Sequence, residues 1–483
     1  MTQSRFSPKF VAGIMVALFF GIALYLRIFL PYDQIFSADW IKLVGTDSYY
    51  HMRIIDNLVH NFPRLNSIDP YMLYPSGMPI GSFSFFDYLL AGIIWLVGLG
   101  SPTQHTVDMV GVYFPAVLGT LSIIPVYFIG KVLFNRWVGV LAAGLITLSP
   151  GEFLARSILG RADHHCAEVL FTTIAMLFLI LAVKIARERQ LNLDHLKHRD
   201  WGIITKPLIY SLLAGIFLGL YLLTWLGALL FVFIIFLYLI IQFIIDHVKQ
   251  KSTDYLCLVG TVTFLIALIV FAPLFQQKVY LTSLIIALLT PIVLSTVSRL
   301  ITSQKLKPAY YPLSLMGLGL AGLAILYFIS PSLLSSMLER FSVIMPVGAR
   351  LTILEAEPFL FPGGDFSFLI AWLNFATGFF LSFVSLGILI YFVIKQGEAD
   401  RTLFIVWSLV ILAATLSMRR FAYYFAINVA LLTGYFSWLV LQFAGFKETA
   451  AEPVQIPEKM KKKTKQKKSR KGGFNLTGSR ANM

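Results

Sequence analysis

The sequence of 483 residues contains few charged side chains, and this shortage excludes a soluble globular protein. Asp, Glu, Lys and Arg together make up 13% of the chain, which is about half of the fraction found in soluble domains. The hydrophobic share is 58% and the mean hydropathy is +0.78. Apolar runs of about 18 residues or more recur along most of the chain, and such runs are typical of transmembrane helices. The composition therefore predicts a polytopic membrane protein.

Cysteines and internal repeats are also scarce. The only two cysteines, Cys166 and Cys257, are too few for a disulfide framework. No repeat of fixed period is visible, and there are no paired broken helices of the kind found in secondary transporters. The first apolar run continues to about Leu30 without a small-residue cleavage site, so it predicts an uncleaved first span and not a signal peptide.

The apolar runs predict an all-α polytopic membrane protein of about twelve transmembrane helices with long extracytoplasmic loops. The runs lie at 10–31, 109–130, 137–150, 167–185, 207–222, 225–245, 256–275, 279–297, 310–329, 367–394, 402–416 and 421–444. Another run, at 86–100, is too short to cross a membrane and suits a re-entrant or interfacial helix.

The positions of the positive charges predict the orientation of the chain. If 86–100 does not cross the membrane, 28 of the 39 Lys and Arg residues fall on the cytoplasmic side, against 9 of 39 if it does. The positive-inside rule favours the first arrangement. It predicts a multi-pass protein of the cell (plasma) membrane with cytoplasmic N- and C-termini. Three connections then face outward, at 32–108, 151–166 and 330–366.

The C-terminal segment 446–483 holds eleven Lys and Arg residues against three Glu. This composition predicts a disordered cytoplasmic tail that rests on anionic membrane lipid. Nucleic-acid binding would require aromatic stacking partners or a fold beside the charge, and the only aromatic residue after Phe446 is Phe474. We therefore predict no nucleic-acid partner.

Each of the three outward connections carries one short motif with ionisable residues. The motifs are Gly-Thr-Asp-Ser-Tyr-Tyr-His-Met-Arg at 45–53, Gly-Arg-Ala-Asp-His-His at 160–165 and Thr-Ile-Leu-Glu at 352–355. Ionisable groups at a membrane face water, a partner or a metal. Asp47, Asp163 and Glu355 with one imidazole suit a hard or borderline cation, Mn²⁺ or Mg²⁺, better than structural zinc. Chemistry alone does not distinguish His164 from His165 as the ligand.

Each motif also has a plainer explanation when it is taken alone. Asp47 suits a helix N-cap or a solvated charge, and the residues at 163–165 suit a hydrogen-bonded loop cluster. Glu355 has two nearby acidic alternatives, Glu357 and Asp365.

A fourth segment, Met-Arg-Arg-Phe-Ala-Tyr-Tyr-Phe-Ala at 418–426, adds specificity to the pattern. In order and spacing, the four segments resemble the catalytic subunit of oligosaccharyltransferases, and the likeness runs from residue 1 to about 445. The second motif has His where many bacterial and eukaryotic members have a second Asp, so the chain looks most like the archaeal type.

The resemblance implies a metal-dependent, inverting glycosyltransferase. Such an enzyme moves a preassembled oligosaccharide from a polyprenyl phosphate or diphosphate carrier to the Asn side chain of an acceptor polypeptide. The family's ligands of the Mn²⁺ or Mg²⁺ ion correspond by position to four residues of this chain, which are Asp47, Asp163, His165 and Glu355. Asp47 and Glu355 are also the implied catalytic residues, which act on the acceptor amide.

The resemblance also implies residues that bind substrate. Arg419, Arg420 and His164 resemble groups that face the carrier phosphate or the acceptor, although snorkelling of the two arginines to the interface is an equally simple explanation. The connection 330–366, which includes Thr352, resembles the mobile loop that closes over the acceptor.

The chain departs from the family pattern at its C-terminal end. Members normally continue into a thirteenth span and a large extracytoplasmic domain with a Trp-Trp-Asp-Tyr-Gly motif, and neither occurs here. The expectation is a transmembrane glycosyltransferase domain at 1–445, followed directly by the basic tail. Three explanations stay open: a separate chain carries the missing domain, the sequence is truncated, or the enzyme uses another acceptor.

Two other functions stay open. A related lipid-phosphosugar glycosyltransferase with another acceptor would share an acidic motif after the first span, but it would not need the motif at 352–355 or the Asp-His pair. A non-catalytic or partial subunit is the second alternative. A transporter is disfavoured because the acidic residues cluster in loops and not at mid-bilayer.

Overall fold

The computed structural model describes residues 7–37, 40–80, 84–225, 227, 229–274, 277–341 and 353–446. Thr352 and the tail beyond Phe446 lie outside the described residues, so the predictions made for them stay predictions. The chain divides into two compact units, Met1–Trp438 and Leu439–Met483. The second unit is described only through the end of the last helix and the three residues that follow it.

Helices make up nearly all of the described regular structure, which confirms the predicted helical membrane fold. In chain order, the first helices are α1 (Pro8–Ile28), α2 (Tyr32–Ile35), α3 (Thr46–His60), α4 (Phe85–Val97), α5 (Gln104–Leu121), α6 (Ile123–Leu133) and α7 (Arg136–Thr147). The next helices are α8 (Glu152–Ala155), α9 (His165–Glu188), α10 (Leu193–His198), α11 (Trp201–Thr224), α12 (Leu229–Val248), α13 (Asp254–Phe271) and α14 (Lys278–Ser303). The last helices are α15 (Tyr310–Ile329), α16 (Pro331–Phe341), α17 (Leu369–Phe375), α18 (Gly378–Gln396), α19 (Ala399–Ser417) and α20 (Ala422–Phe443).

Two small strand pairs lie in the long connection between α1 and α5. Strands β1 (Phe36–Ser37) and β2 (Trp40–Ile41) pair antiparallel, and so do β3 (Ile68–Asp69) and β4 (Met78–Pro79). With two residues in each strand, they are local turns of the connection and leave the architecture helical.

Eleven helical segments of the described chain are long and apolar enough to cross a membrane. The sequence predicted about twelve, and the difference arises at 137–150, where α7 has only 12 residues. Helix α4 has 13 residues, in agreement with the short run at 86–100. The run at 367–394 is divided between α17 and α18, because the chain turns at Ala376 with a φ of 48°.

Helix α9 lies at the centre of the helix packing. It packs against α5, α6, α11, α13 and α19, and its buried residues occur on all sides of the helix from His165 to Ala186. A helix that is apolar all round is expected in such a buried position. In contrast, α15 buries only Tyr311, as expected for a helix at the lipid boundary. The first turn of α9 is therefore held by neighbours on every side.

Helix α3, which begins at the first motif, is fastened to the chain on two faces. Ile55 and Leu58 are buried on the face that packs against α4. On another face, Arg53 Nη2 donates to Asp69 Oδ1 at 2.7 Å, and the guanidinium lies over the Tyr71 ring at 4.9 Å from its centroid. The hydrogen bond from Arg53 lowers the pKa of Asp69 to about 2. This ion pair joins α3 to β3.

We predict that Asp69→Asn lowers stability at neutral pH but not in strong acid. The pKa of Asp69 is depressed from 3.8 to about 2 in the folded protein. Its stabilising contribution is therefore complete above about pH 4 and is lost as the pH falls through about 2. Because the Arg53 side chain is 41% exposed, solvent screening limits the expected loss to about 1 kcal/mol.

Thermal unfolding of the purified protein between pH 7 and pH 2 measures this effect. Asp33→Asn, at an exposed residue of α2, is the matched control and should leave the unfolding temperature unchanged. A difference between Asp69→Asn and the parent protein that persists at pH 2 would contradict the assignment to the ion pair.

Candidate active site

The three motif-bearing segments meet at the N-terminal end of α9. His51 of α3 contacts His164 through Nε2 and Nδ1 at 3.1 Å, across 113 positions of sequence. Arg156, just ahead of the second motif, donates from Nη2 to Glu355 Oε1 at 2.7 Å, across 199 positions. The convergence of the three connections is thus a property of the tertiary structure.

Backbone hydrogen bonds fix the turn that leads into α9. Leu159 N–H donates to Arg27 O at 2.9 Å. Gly160 N–H donates to Val112 O at 2.9 Å, and Gly160 O accepts from Val44 N–H at 2.9 Å. Gly160 has a φ of 80°, in the left-handed region that glycine adopts without a steric penalty. The second motif is therefore tied to α1, to α5 and to the stretch that precedes α3.

The second motif forms a buried cluster with His51. Asp163 Oδ1 lies 2.8 Å from His164 Nδ1 and 3.6 Å from His51 Nε2, and Asp163 Oδ2 lies 3.3 Å from His165 Nε2. Asp163 has no exposed surface. Within the described residues, Asp163 Oδ2 and His164 Nε2 have no partner with hydrogen-bond geometry. These two buried atoms have the lone-pair chemistry of cation ligands.

Two sets of side chains in this cluster are compact enough to hold a metal ion, with ligand atoms within 4.8 Å of one another. The sets are His51, Asp163 and His164, and His164, His165 and Glu168. Of the four predicted ligands, Asp163 and His165 lie together. Asp47 and Glu355 belong to neither set, and Asp47 is exposed in the first turn of α3.

Glu168, one turn into α9, is the centre of a buried hydrogen-bond network. Its Oε1 lies 3.1 Å from His165 Nδ1, and its Oε2 accepts hydrogen bonds from the Tyr423 hydroxyl at 2.8 Å and from the Tyr424 hydroxyl. Tyr424 also contacts the Tyr221 hydroxyl at 3.3 Å. The sequence analysis assigned no role to Glu168 or to the tyrosines, although Tyr423 and Tyr424 stand in the fourth segment, 418–426. The available signal was a carboxylate in an otherwise apolar span, which requires a partner.

A second residue that the sequence did not indicate is Asp87 of α4. Its Oδ1 lies 2.7 Å from His51 Nδ1, and both side chains are buried. A carboxylate on one ring nitrogen fixes the orientation of an imidazole. The Asp87 contact therefore directs the other nitrogen of His51 toward His164 and Asp163.

Burial disfavours the charged forms of Asp163 and His164. The negative carboxylate and the positive imidazole stabilise each other's charged form. The neighbouring His165 and His164 outweigh the effect of burial, so the pKa of Asp163 lies well below its usual value. Burial also lowers the pKa of His164, but the carboxylates of Asp163 and Glu168 outweigh it and the pKa is raised. Asp163 is therefore ionised at neutral pH, which is the form that binds a cation.

An alternating chain of charges links the loop of Glu355 to the start of α20. Glu355 is bonded to Arg156, Arg156 Nε donates to Glu152 Oε2 at 3.0 Å, and Arg419 Nη2 lies 3.1 Å from Glu152 Oε1. Burial raises the pKa of Glu355, but the Arg156 guanidinium outweighs it and the pKa is lowered. Glu355 is thus ionised and held by a cation of the second motif segment.

The other predicted site residues differ in their surroundings. The Arg420 guanidinium lies over the Trp225 ring, 4.6 Å from its centroid, and its charge acts on both His164 and Glu355. Arg420 Nε has no hydrogen-bond partner within the described chain. The predicted residue Thr352 lies outside the described residues.

Most of the chain matches the model of a known protein family. The model of the N-terminal part of oligosaccharyl transferase STT3 matches residues 17–386. The chain belongs to this family. The STT3 match covers α9 with its motif and the segments of Asp47 and Glu355, whereas the site residues of 419–424 lie beyond it.

Archaeal members of the family are similar to this chain. Dolichyl-phosphooligosaccharide-protein glycotransferase 3 of Archaeoglobus fulgidus is 30% identical over 424 residues, which are 84% of this chain and 47% of that protein. Dolichyl-monophosphooligosaccharide–protein glycotransferase AglB of Haloferax volcanii is 32% identical over 345 residues, which are 68% of this chain and 32% of that protein. This STT3-family chain thus spans about half or less of the length of these relatives.

A solved structure shares the fold of this STT3-family chain. Archaeal oligosaccharyltransferase AglB from Archaeoglobus fulgidus, in complex with an inhibitory peptide and a dolichol-phosphate, matches with a TM-score of 0.81 at 27% identity. The match covers 92% of this chain and 53% of the other. The described helical architecture is therefore that of the membrane part of archaeal relatives.

We predict that Glu168→Ala severely destabilises the protein. Removal of the carboxylate leaves the hydroxyls of Tyr423 and Tyr424 and the Nδ1 of His165 buried without their partner. Breaking a buried charged network in this way costs about 3–5 kcal/mol. Chemical denaturation of the purified protein in detergent measures the loss.

Glu188→Ala is the matched control, since Glu188 is exposed near the end of the same helix. It should change the free energy of unfolding by about 0.5 kcal/mol or less. An equal loss in the two variants would show that Glu168 does not hold the network together.

Proposed function

We propose that this chain is the membrane part of an oligosaccharyltransferase, which transfers an oligosaccharide from a polyprenyl phosphate or diphosphate carrier to the Asn side chain of an acceptor polypeptide. Membership of the STT3 family supports the reaction class. The observation that carries the proposal is that the three motif segments are bonded to one another: His51 of the first contacts His164 of the second, and Glu355 of the third is bonded to Arg156, just ahead of the second motif. A glycosyltransferase with another acceptor would not need this convergence.

We propose that Asp47, Asp163, His165 and Glu355 are the ligands of a divalent cation, Mn²⁺ or Mg²⁺, because carboxylates with one imidazole suit such an ion. Asp163 and His165 lie 3.3 Å apart in the buried cluster, and Asp163 Oδ2 makes no contact with hydrogen-bond geometry among the described residues. The assignment requires Asp47 and Glu355 to approach these two residues when the ion binds. A bound divalent ion supplies positive charge that stabilises the leaving phosphate.

The proposed chemistry overcomes the low nucleophilicity of an amide nitrogen, whose lone pair is delocalised into the carbonyl group. Asp47 and Glu355 accept hydrogen bonds from the acceptor NH₂ group and weaken that delocalisation. The nitrogen attacks the anomeric carbon and forms the C–N bond, while the C–O bond to the carrier breaks and its electron pair leaves with the phosphate. One amide proton passes to a carboxylate or to water. A single in-line displacement inverts the anomeric centre.

Three further residues suit the carrier phosphate or the acceptor. Arg419 and Arg420 carry planar guanidinium groups that match the geometry of a phosphate, and His164 carries a raised pKa beside them. The Arg420 guanidinium is stacked on Trp225, and its Nε has no hydrogen-bond partner within the described residues. We assign Thr352 to a loop, 330–366, that closes over the acceptor.

The proposed arrangement in the membrane has twelve spans, which are the eleven long apolar segments and the short helix α7. The site then faces the outside of the cell membrane, both termini are cytoplasmic, and residues 446–483 form a tail on anionic lipid. Residues 1–445 are the transferase domain. A further proposed partner is a separate chain that carries the large extracytoplasmic domain expected for the family.

The transfer assay combines membranes that contain the chain, a polyprenyl-linked oligosaccharide, an Asn-x-Thr peptide and Mn²⁺. We expect Asp47→Ala, Asp163→Ala and Glu355→Ala to reduce transfer about 100-fold or more, with membrane insertion unchanged. Asp33→Ala, at an exposed acid outside the cluster, should keep full activity. Removal of divalent ions with EDTA should stop transfer, and added Mn²⁺ or Mg²⁺ should restore it.

Two outcomes would overturn the proposal. Full activity of Asp47→Ala or Glu355→Ala would exclude their action on the acceptor amide. Equal Mn²⁺ binding by the parent protein and by Asp163→Ala, measured by electron paramagnetic resonance without substrate, would exclude the metal assignment independently of turnover.

A further inference from the structure

A polar cavity of about 700 Å³ lies between the ends of α12, α13 and α14. Its buried floor contains His247, Thr253 and Ser298, and its exposed rim contains Lys251 and Lys305. None of the assigned site residues lines it. The cavity is therefore a feature separate from the cluster at α9.

The course of the helices places this cavity at the opposite end of the bundle from the candidate active site. Tyr221, near the C-terminal end of α11, contacts Tyr424 of the site network. From there α12 runs back through 20 residues, a length of about 30 Å, and reaches the cavity at His247. The predicted orientation puts this end of the bundle at the cytoplasmic surface, where membranes carry anionic lipid.

The floor of the cavity presents a buried imidazole ring, that of His247. The Thr253 hydroxyl donates to Ser298 Oγ at 3.5 Å, and Ser298 Oγ lies 2.7 Å from His247 Nδ1. The Ser298 hydroxyl can donate to Nδ1 while it accepts from Thr253, and in that arrangement the hydrogen of the neutral ring is on Nε2. Stacking on Tyr311, with centroids 4.2 Å apart, holds the ring. Within the described residues, no hydrogen bond uses Nε2.

The rim carries an excess of positive charge. Arg299 is neutralised by Asp254, with Nη2 and Oδ1 2.8 Å apart, and Asp194 also acts on its charge. Lys251 and Lys305 make no ion pair within 4 Å in the described part of the chain. The cavity therefore combines a buried imidazole with two ammonium groups that make no ion pair among the described residues.

The C-terminal ends of α12 and α14 bring partial negative charge to the rim, and capping hydrogen bonds reduce it. Helix α12 ends in a turn in which Lys251 N–H donates to Asp246 O at 2.8 Å, and α14 ends in a turn in which Leu306 N–H donates to Ile301 O at 3.1 Å. These bonds satisfy carbonyl groups that would otherwise face the cavity with partial negative charge. The first turn of α13, from Asp254, adds the positive end of a helix.

We propose that this cavity binds a phosphate group, with Lys251 and Lys305 as its cationic ligands and His247 Nε2 as its buried donor. Basic pockets between transmembrane helices at this surface are suited to phosphate-bearing headgroups. The same chemistry would accept a free phosphate ion, so the two sources are separated by experiment. The proposal does not depend on the transfer reaction.

Native mass spectrometry of the full chain in neutral detergent, with added phosphatidylglycerol or phosphatidylcholine, tests the proposal. We expect phosphatidylglycerol to bind at least about 10-fold more tightly, because only its headgroup has a net negative charge. The variant Lys251→Gln/Lys305→Gln should weaken this binding by about 30-fold, at about a factor of five for each lysine. Inorganic phosphate is titrated against the same complex.

Lys249→Gln/Lys307→Gln is the matched control, because it removes the same charge from the same two connections at residues that do not line the cavity. It should weaken binding by about 3-fold or less. Thermal unfolding confirms that both double variants are folded. The lipid should raise the unfolding temperature of the parent protein and of the control, but not of Lys251→Gln/Lys305→Gln.

The outcomes separate the alternatives. Displacement of the lipid by inorganic phosphate at concentrations near those of the lipid would support the phosphate site and assign it to the free ion. No displacement would support a lipid headgroup. Equal binding of the two lipids, or an equal loss in both double variants, would overturn the proposal, because the attraction would then be absent or spread over the whole surface.

Discussion

The site depends on the burial of one carboxylate, Glu168, inside the central helix of the bundle. A charged group without exposed surface is stable there only if it is paired and hydrogen-bonded. Glu168 achieves this with His165 in its own helix and with two tyrosines of α20. These contacts fix the first turn of α9 against α20, and the positions of Asp163 and His164 follow from that turn.

The remaining contacts of the site connect loops to this fixed turn. Asp87 orients His51 toward the cluster from one side, and Arg156 holds Glu355 from the other. The chain of alternating charges through Glu152 to Arg419 joins three elements that are far apart in sequence. The segment of Glu355 is also bonded through its backbone, since Arg419 N–H donates to Glu357 O at 2.9 Å and Phe359 N–H donates to Leu416 O at 3.2 Å.

The two ends of the bundle present contrasting electrostatics. At the α9 end, carboxylates are surrounded by imidazole and guanidinium groups, so that most charges are compensated within the protein. At the other end, Lys251 and Lys305 make no ion pair within 4 Å among the residues that the structure describes. This contrast arises because the cluster lies inside the helix bundle, where an unpaired charge is costly, whereas the lysines lie at its exposed rim.

The sequence by itself determined the helical membrane fold and the residues of the motifs, since long apolar runs and clustered ionisable groups are local properties. It also indicated the short helix at 86–100. Asp163 and His165 lie 3.3 Å apart, and their role as ligands stays a prediction. The sequence did not indicate the division of the run at 367–394, because the residue with a positive φ at the turn is an alanine, Ala376. Only the tertiary structure showed that Glu168 binds Tyr423 and Tyr424 and that Asp87 binds His51, because these partners are distant in the chain. It also decided that Glu355 is bonded to Arg156, because an ion pair between loops depends on packing and leaves no periodic signal in the sequence.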